Sequence, residues 1–238
     1  MKLYDEAIKK LLEKIKDLST ISLDYETKSW EDVGDHNLIL RQEMAYELGG
    51  STHDAISAMG ITSDDKIVPC DSLSLIGPDL NEIKEDTSYA RIAIIRVSEN
   101  GLGEGNTLYN AVRKIEYVRY HVSPKGYMTR ISAAKEREPV RVSKEALKDG
   151  LSIAHVGKLF LDKYHENKNI IAVKLIFITD PSFDYKSIKE DSTLLEGITG
   201  TIDHIGKNVV MDCNACNLKP ICDEVEGLKE LHFNSSKF

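Results

Sequence analysis

The sequence predicts an α+β domain, a mixed sheet flanked by helices, and three observations predict it. The runs Ser72 to Ile76 and Ala90 to Val97 are β-branched and partly alternating, Ile170 to Thr179 is apolar but for Lys174, and all three have strand lengths and end at turn residues. Segments with a helical stripe of apolar residues separate them, so strands alternate with helices. The composition, 238 residues with 41% hydrophobic, 29% charged, 15 Gly and 6 Pro, is that of a globule able to form a core without staples.

In chain order, Leu3, Ile8, Leu11, Leu12, Ile15 and Leu18 form one stripe of an amphipathic first helix over 3–18. Polar residues 24–37 read as a connector. Leu38 to Leu48 reads as helical until Gly49-Gly50 stops it, and Ser51 or Thr52 is placed to cap a short helix through Met59. The strands at 72–76 and 90–97 are closed by Gly77-Pro78 and Asn100-Gly101. Gly101 to Gly105 lacks the G-x-G-x-x-G spacing, and Glu104 would repel a phosphate, so it reads as a plain connector. Asn106 or Thr107 caps a helix from Leu108 to Tyr120. Val140 to Val142 is extended, Ser143 caps a turn ended by Gly150, and Ser152 caps a helix to His165. Ile170 to Thr179 is the strongest strand, closed by Asp180-Pro181, and Tyr185 to Lys207 is mainly helical. The chain divides into an N-terminal helix and connector (1–37), the α+β domain (38–207) and a cysteine-rich segment (208–238), with no internal repeat.

A net charge of −8 argues against a nucleic-acid binder. Between Arg113 and Lys144, however, nine Lys or Arg face three Glu, a local +6 that leaves −14 on the rest of the chain. That segment, with Arg130, Arg137, Arg141 and Lys144, reads either as a solvated basic face or as a docking surface for an anionic ligand or an acidic partner. No run reaches the ~18 apolar residues of a membrane span, because Lys174 interrupts the greasiest one. Met1 to Lys10 has no signal-peptide core, so a cytoplasmic protein is expected. No G-x-S-x-G, Walker A, H-E-x-x-H or kinase motif occurs, and the histidines show no pairing motif.

Three of the four cysteines, Cys213, Cys216 and Cys222, form a C-x2-C-x5-C pattern. A C-x2-C turn lets two thiolates converge on one metal, and a third nearby fills most of a tetrahedral or cubane-corner set. A metal site is favoured over a redox disulfide or incidental packing. A 4Fe-4S cluster is the favoured occupant and a structural zinc the alternative. The fourth ligand is Cys70, the only other thiol, or His232; Asp212 also adjoins the first cysteine.

Several strings occur in the order and spacing of one known domain: Tyr46-Glu47-Leu48-Gly49-Gly50, then Leu75 to Ile83, Val140 to Gly150 and Val173 to Asp180. Over roughly residues 40–232 the chain resembles the middle domain of the acetyl-CoA synthase subunit of the CO dehydrogenase/acetyl-CoA synthase complex. The resemblance implies that Cys213, Cys216 and Cys222 match the first three cysteines of that family's C-x2-C-x8-C-x9-C motif, with three residues fewer before Cys222 and His232 at the fourth position. It implies coenzyme A binding by the basic segment, with Tyr127 or Met128 where the family has a tryptophan. A corrinoid iron-sulfur protein or CO dehydrogenase-type proteins are the implied partners. The family's Cys-Gly-Cys nickel motif has no counterpart in these residues. The expectation is therefore an iron-sulfur accessory or redox protein of anaerobic one-carbon metabolism, or a subunit acting in acetyl transfer only with partners. It is not expected to make acetyl-CoA alone. A zinc-stabilised interaction module is the remaining alternative.

Overall fold

A computed structural model describes residues 2–50, 52–98, 102, 106–130, 132, 137–206, 216–228 and 230–231. Two sheets organise it. The larger contains β1 (Ile21–Ser22), β3 (Ala55–Thr62), β4 (Ser72–Ile76), β5 (Tyr89–Val97) and β8 (Ile170–Ile178), in the order β1-β4-β8-β5-β3. The smaller is antiparallel and runs β2 (Met44–Leu48), β7 (Val140–Ser143), β6 (Tyr127–Thr129). The five-stranded sheet is mixed: β3 runs parallel to β5 and β4 to β8, while β5 and β8 are antiparallel. The three strands expected from the sequence therefore lie side by side, with β8 in the centre. Apart from exposed Ile171 and part-exposed Lys174 its residues are buried, as suits a central strand covered on both faces.

The helices are α1 (Asp5–Ile15), α2 (Asn106–Val118), α3 (Lys144–Lys148), α4 (Ile153–His165), α5 (Tyr185–Gly206) and α6 (Lys219–Glu224). The apolar stripe of α1 is buried through Ala7, Ile8, Leu11 and Ile15. It reaches β3 so closely that a Cβ on Gly60 would stand 2.7 Å from Ile8. α4 lies over β4 and β8, where Gly157 admits the Leu73 side chain. α5 packs on β3 and α1, and α2 bridges α4 and α5. Ser143 caps α3 as expected, accepting from the Glu145 and Ala146 amides. Ser152 makes no such cap bond; its hydroxyl meets the His155 ring instead, at 2.8 Å. Among the described residues no helix is long and apolar enough to cross a membrane.

Two segments depart from expectation. Residues 38–48 are a turn followed by β2 rather than a helix, and 55–62 is β3 rather than the end of a capped helix. Every residue of β3 is buried, so Ala55 to Thr62 shows no polar face that could reveal a period of two, and pairing with β5 decides the conformation. Of the connector at Gly101 to Gly105, only Leu102 lies within the described residues.

Candidate functional site

Beneath the outer face of α2, four charges are buried together. Glu138 accepts from both Arg91 and Arg119, and Arg119 also reaches Glu196. Burial works against the charge of Arg119, but Glu138 and Glu196 outweigh it and raise its pKa. Arg91 further lies over the Phe160 ring, 4.3 Å from its centroid. Losing one member of such a buried set typically costs about 3–5 kcal/mol, because its partner is left charged and unpaired. The network ties β5, α2, α5 and the entry to β7 together, and so fixes the ground on which a cleft is built.

That cleft has a volume of about 1000 Å³. One wall is α2 and the turn after it, where Tyr109, Arg113, Tyr117 and His121 recur every fourth residue and so share a face. Arg113 donates to the Tyr109 hydroxyl at 2.9 Å, and the Tyr117 and His121 rings stack 3.3 Å apart. The opposite wall carries Arg130 and Arg137. Glu47 holds Arg130 at 2.5 Å, and Arg137 donates to the carbonyls of Gly49, Gly50 and His53 at 2.9, 2.8 and 3.1 Å. Gly49 has φ +67° and no room for a Cβ beside Ala55, so the turn that presents those carbonyls requires glycine there. Thr129 adds a buried hydroxyl without a hydrogen-bond partner. Of the two carboxylates in the lining, Glu116 and Glu138, the latter is already taken by two guanidinium groups.

The four cations expected to form one docking surface are thus divided. Arg130 and Arg137 line the cleft with Arg113 and Lys114, which belong to the same basic segment. Lys144 bonds the Gln42 carbonyl at 3.1 Å on the edge of a second cavity of about 600 Å³. Arg141 lines neither cavity; it donates to the Ile39 carbonyl and approaches Glu47 at 3.5 Å. Tyr127 is wholly buried, its hydroxyl 2.5 Å from that of Tyr89, and offers no face to a ligand. Tyr109 and Tyr117 of α2 stand eight positions apart in the sequence with Arg113 midway, a spacing that puts them on one face, but nothing there showed which wall they would meet.

Cys213 and His232 lie outside the described residues. Cys216 and Cys222 are partly buried and in no disulfide. The Leu218 amide donates to the Cys216 sulfur at 3.4 Å, an N–H···S contact of the kind that supports metal-bound thiolates. Cys222 sits on α6, which packs against α5 where Gly197 meets Ile221. Exposed Cys70 precedes β4, beside Asp71, whose carboxylate meets His165 at 2.8 Å. Three inter-strand steps of about 4.8 Å separate β4 from β3, and α5 with α6 lies on the β3 side. The structure therefore does not bring Cys70 to Cys222. Among the described residues no group of three or more His, Cys, Asp or Glu is placed to hold a metal.

The profile of one family, CdhC, described as the CO dehydrogenase/acetyl-CoA synthase complex beta subunit, matches residues 33–183. The match spans the cleft and both sheets except β1. No curated protein matches the chain.

Proposed function

The chain belongs to the CO dehydrogenase/acetyl-CoA synthase complex beta subunit family, and on that premise we propose that it binds a coenzyme A-like, phosphate-bearing ligand in the cleft and acts with partner subunits. One observation carries this reading. The cleft sets Arg113, Lys114, Arg130 and Arg137 around tyrosines that offer flat apolar faces, and its Glu138 is neutralised from within. Guanidinium forks suit phosphate oxygens, and aromatic faces suit a base. Calorimetry at low salt is expected to show binding of coenzyme A that weakens as salt rises. Arg113→Gln and Arg130→Gln should each weaken it roughly tenfold, the loss of a charge-assisted hydrogen bond. Absence of heat at millimolar ligand would overturn the reading.

The cysteine segment supports the second half of the proposal. Cys213, Cys216 and Cys222 would hold a 4Fe-4S cluster, which supplies one-electron transfer when bound. The N–H···S contact at Cys216 fits a thiolate ligand. The place of Cys70 across the sheet favours His232, ten residues after Cys222, as the fourth ligand. Anaerobic purification should give iron and sulfide in the wild type and in Cys70→Ser, with loss in His232→Ala. Zinc without sulfide would replace the redox role by a structural one. The partners on this reading are CO dehydrogenase-type subunits and a corrinoid iron-sulfur protein. On this reading acetyl transfer is the work of the assembly that the chain joins.

A further inference from the structure

One face of the five-stranded sheet is dry except at one end. Across it, Ile92 pairs with Ile176 and Ala90 with Ile178, all buried. The part-exposed positions on that face are Ser72 and Ser74 of β4, Lys174 of β8 and Arg96 of β5, and all four are polar. Register places them together. Ser72 is directly opposite Lys174, while Arg96 is opposite Ala172, one diagonal step from Lys174.

Two of these polar groups lack partners among the described residues. The Ser72 hydroxyl and the Arg96 Nε are buried without a hydrogen bond. Among the described residues neither Arg96 nor Lys174 has a carboxylate within ion-pair distance. The other partly or fully buried arginines, Arg91, Arg119, Arg137 and Arg141, are all bonded to carboxylates or carbonyls. Of the acids nearby, Asp71 is turned to the Val173 amide and His165, and Asp5 accepts from Thr62, the residue opposite Arg96 on β3. Burial lowers the pKa of Lys174, opposed by the Cys70 thiol nearby. Two half-buried cations beside a buried, idle hydroxyl on an otherwise apolar sheet face offer an anion a charged seat.

We propose that Ser72, Arg96 and Lys174 form a binding site for a phosphate-class dianion, separate from the cleft beside α2. The guanidinium offers paired donors, the ammonium a point charge and the serine a short hydroxyl donor, a set that matches a tetrahedral oxyanion of charge −2. The ligand is free phosphate or a phosphate monoester, and the test separates these sources.

The full chain is titrated by calorimetry with inorganic phosphate and, in parallel, with glycerol 3-phosphate. Wild type, Arg96→Gln, Lys174→Gln and a cleft variant carrying Arg113→Gln with Arg130→Gln are compared. The expected result is roughly tenfold weaker binding at the sheet site in Arg96→Gln and in Lys174→Gln, with the sheet site's binding retained in the cleft variant, which removes only phosphate held by the cleft. Stronger binding of one probe identifies the source. Phosphate should also raise the melting temperature of the wild type more than that of the two sheet-site variants; circular dichroism verifies that these remain folded. Equal affinity in wild type and sheet-site variants, or no heat with either probe at tens of millimolar ligand, would overturn the site and leave two stems that merely reach solvent.

Discussion

The tilted contact between Trp30 and His155, with ring centroids 5.0 Å apart, makes one ionisation optically visible, since this is the only tryptophan. Burial first, and then the charge of Lys28, holds the His155 pKa below its ordinary 6.5, with Asp79 opposing. A histidine whose folded pKa is depressed binds its proton less readily folded than unfolded. Its contribution to stability is therefore whole above 6.5 and declines as pH falls through the depressed value. Trp30 emission should be quenched as the imidazolium forms, with a midpoint below 6.5, and His155→Gln should abolish the step. A midpoint above 6.5 would mean that Asp79 dominates. Neither partner was legible as a pair: 125 positions separate them, and tertiary contacts, among them the Trp30 indole bond to the Lys125 carbonyl at 2.9 Å, close that distance.

Among elements, the short stretch leading into β7 does more than its length promises, because Glu138 anchors it to β5 and α2 while Arg137 braces the turn at Gly49 and Gly50. Glu138→Gln should destabilise the protein by about 3–5 kcal/mol in urea unfolding, since Arg91 and Arg119 lose a shared buried counter-charge. Coenzyme A affinity should fall in the same variant where it remains folded, because Arg137 is displaced. The basic excess of this segment was visible in the sequence, but its division was not. A charge count cannot tell Arg119, buried against two carboxylates, from Arg113, half exposed on the cleft wall. The helical reading of 38–48 failed for a related reason. Leu38 and Leu40 are exposed, whereas Tyr46 and Leu48 are buried in β2 by pairing with β7, so apolar spacing that mimicked one helix face came from a turn and a strand.

At the scale of the whole molecule, the expected α+β class and the presence of three strands in one mixed sheet followed from local patterns, because β4, β5 and β8 each combine strand length with clear turn boundaries. The order of strands did not. No local pattern says that β8 enters between β4 and β5, which pair with it in opposite senses. A chain ending at residue 169 should accordingly lack a stable sheet and show little amide protection from hydrogen exchange in β4 and β5. Strong protection there would refute the dependence. The same insertion sets a schedule for biosynthesis. At about 5–20 residues per second, a ribosome takes roughly 4–14 seconds to pass from the end of β5 to the start of β8, and meanwhile β4 and β5 each present an unpaired edge to the crowded cell. Such edges are templates for mispairing, so the nascent chain passes through an extended interval in which ribosome-associated chaperones, rather than its own core, keep it from joining its neighbours.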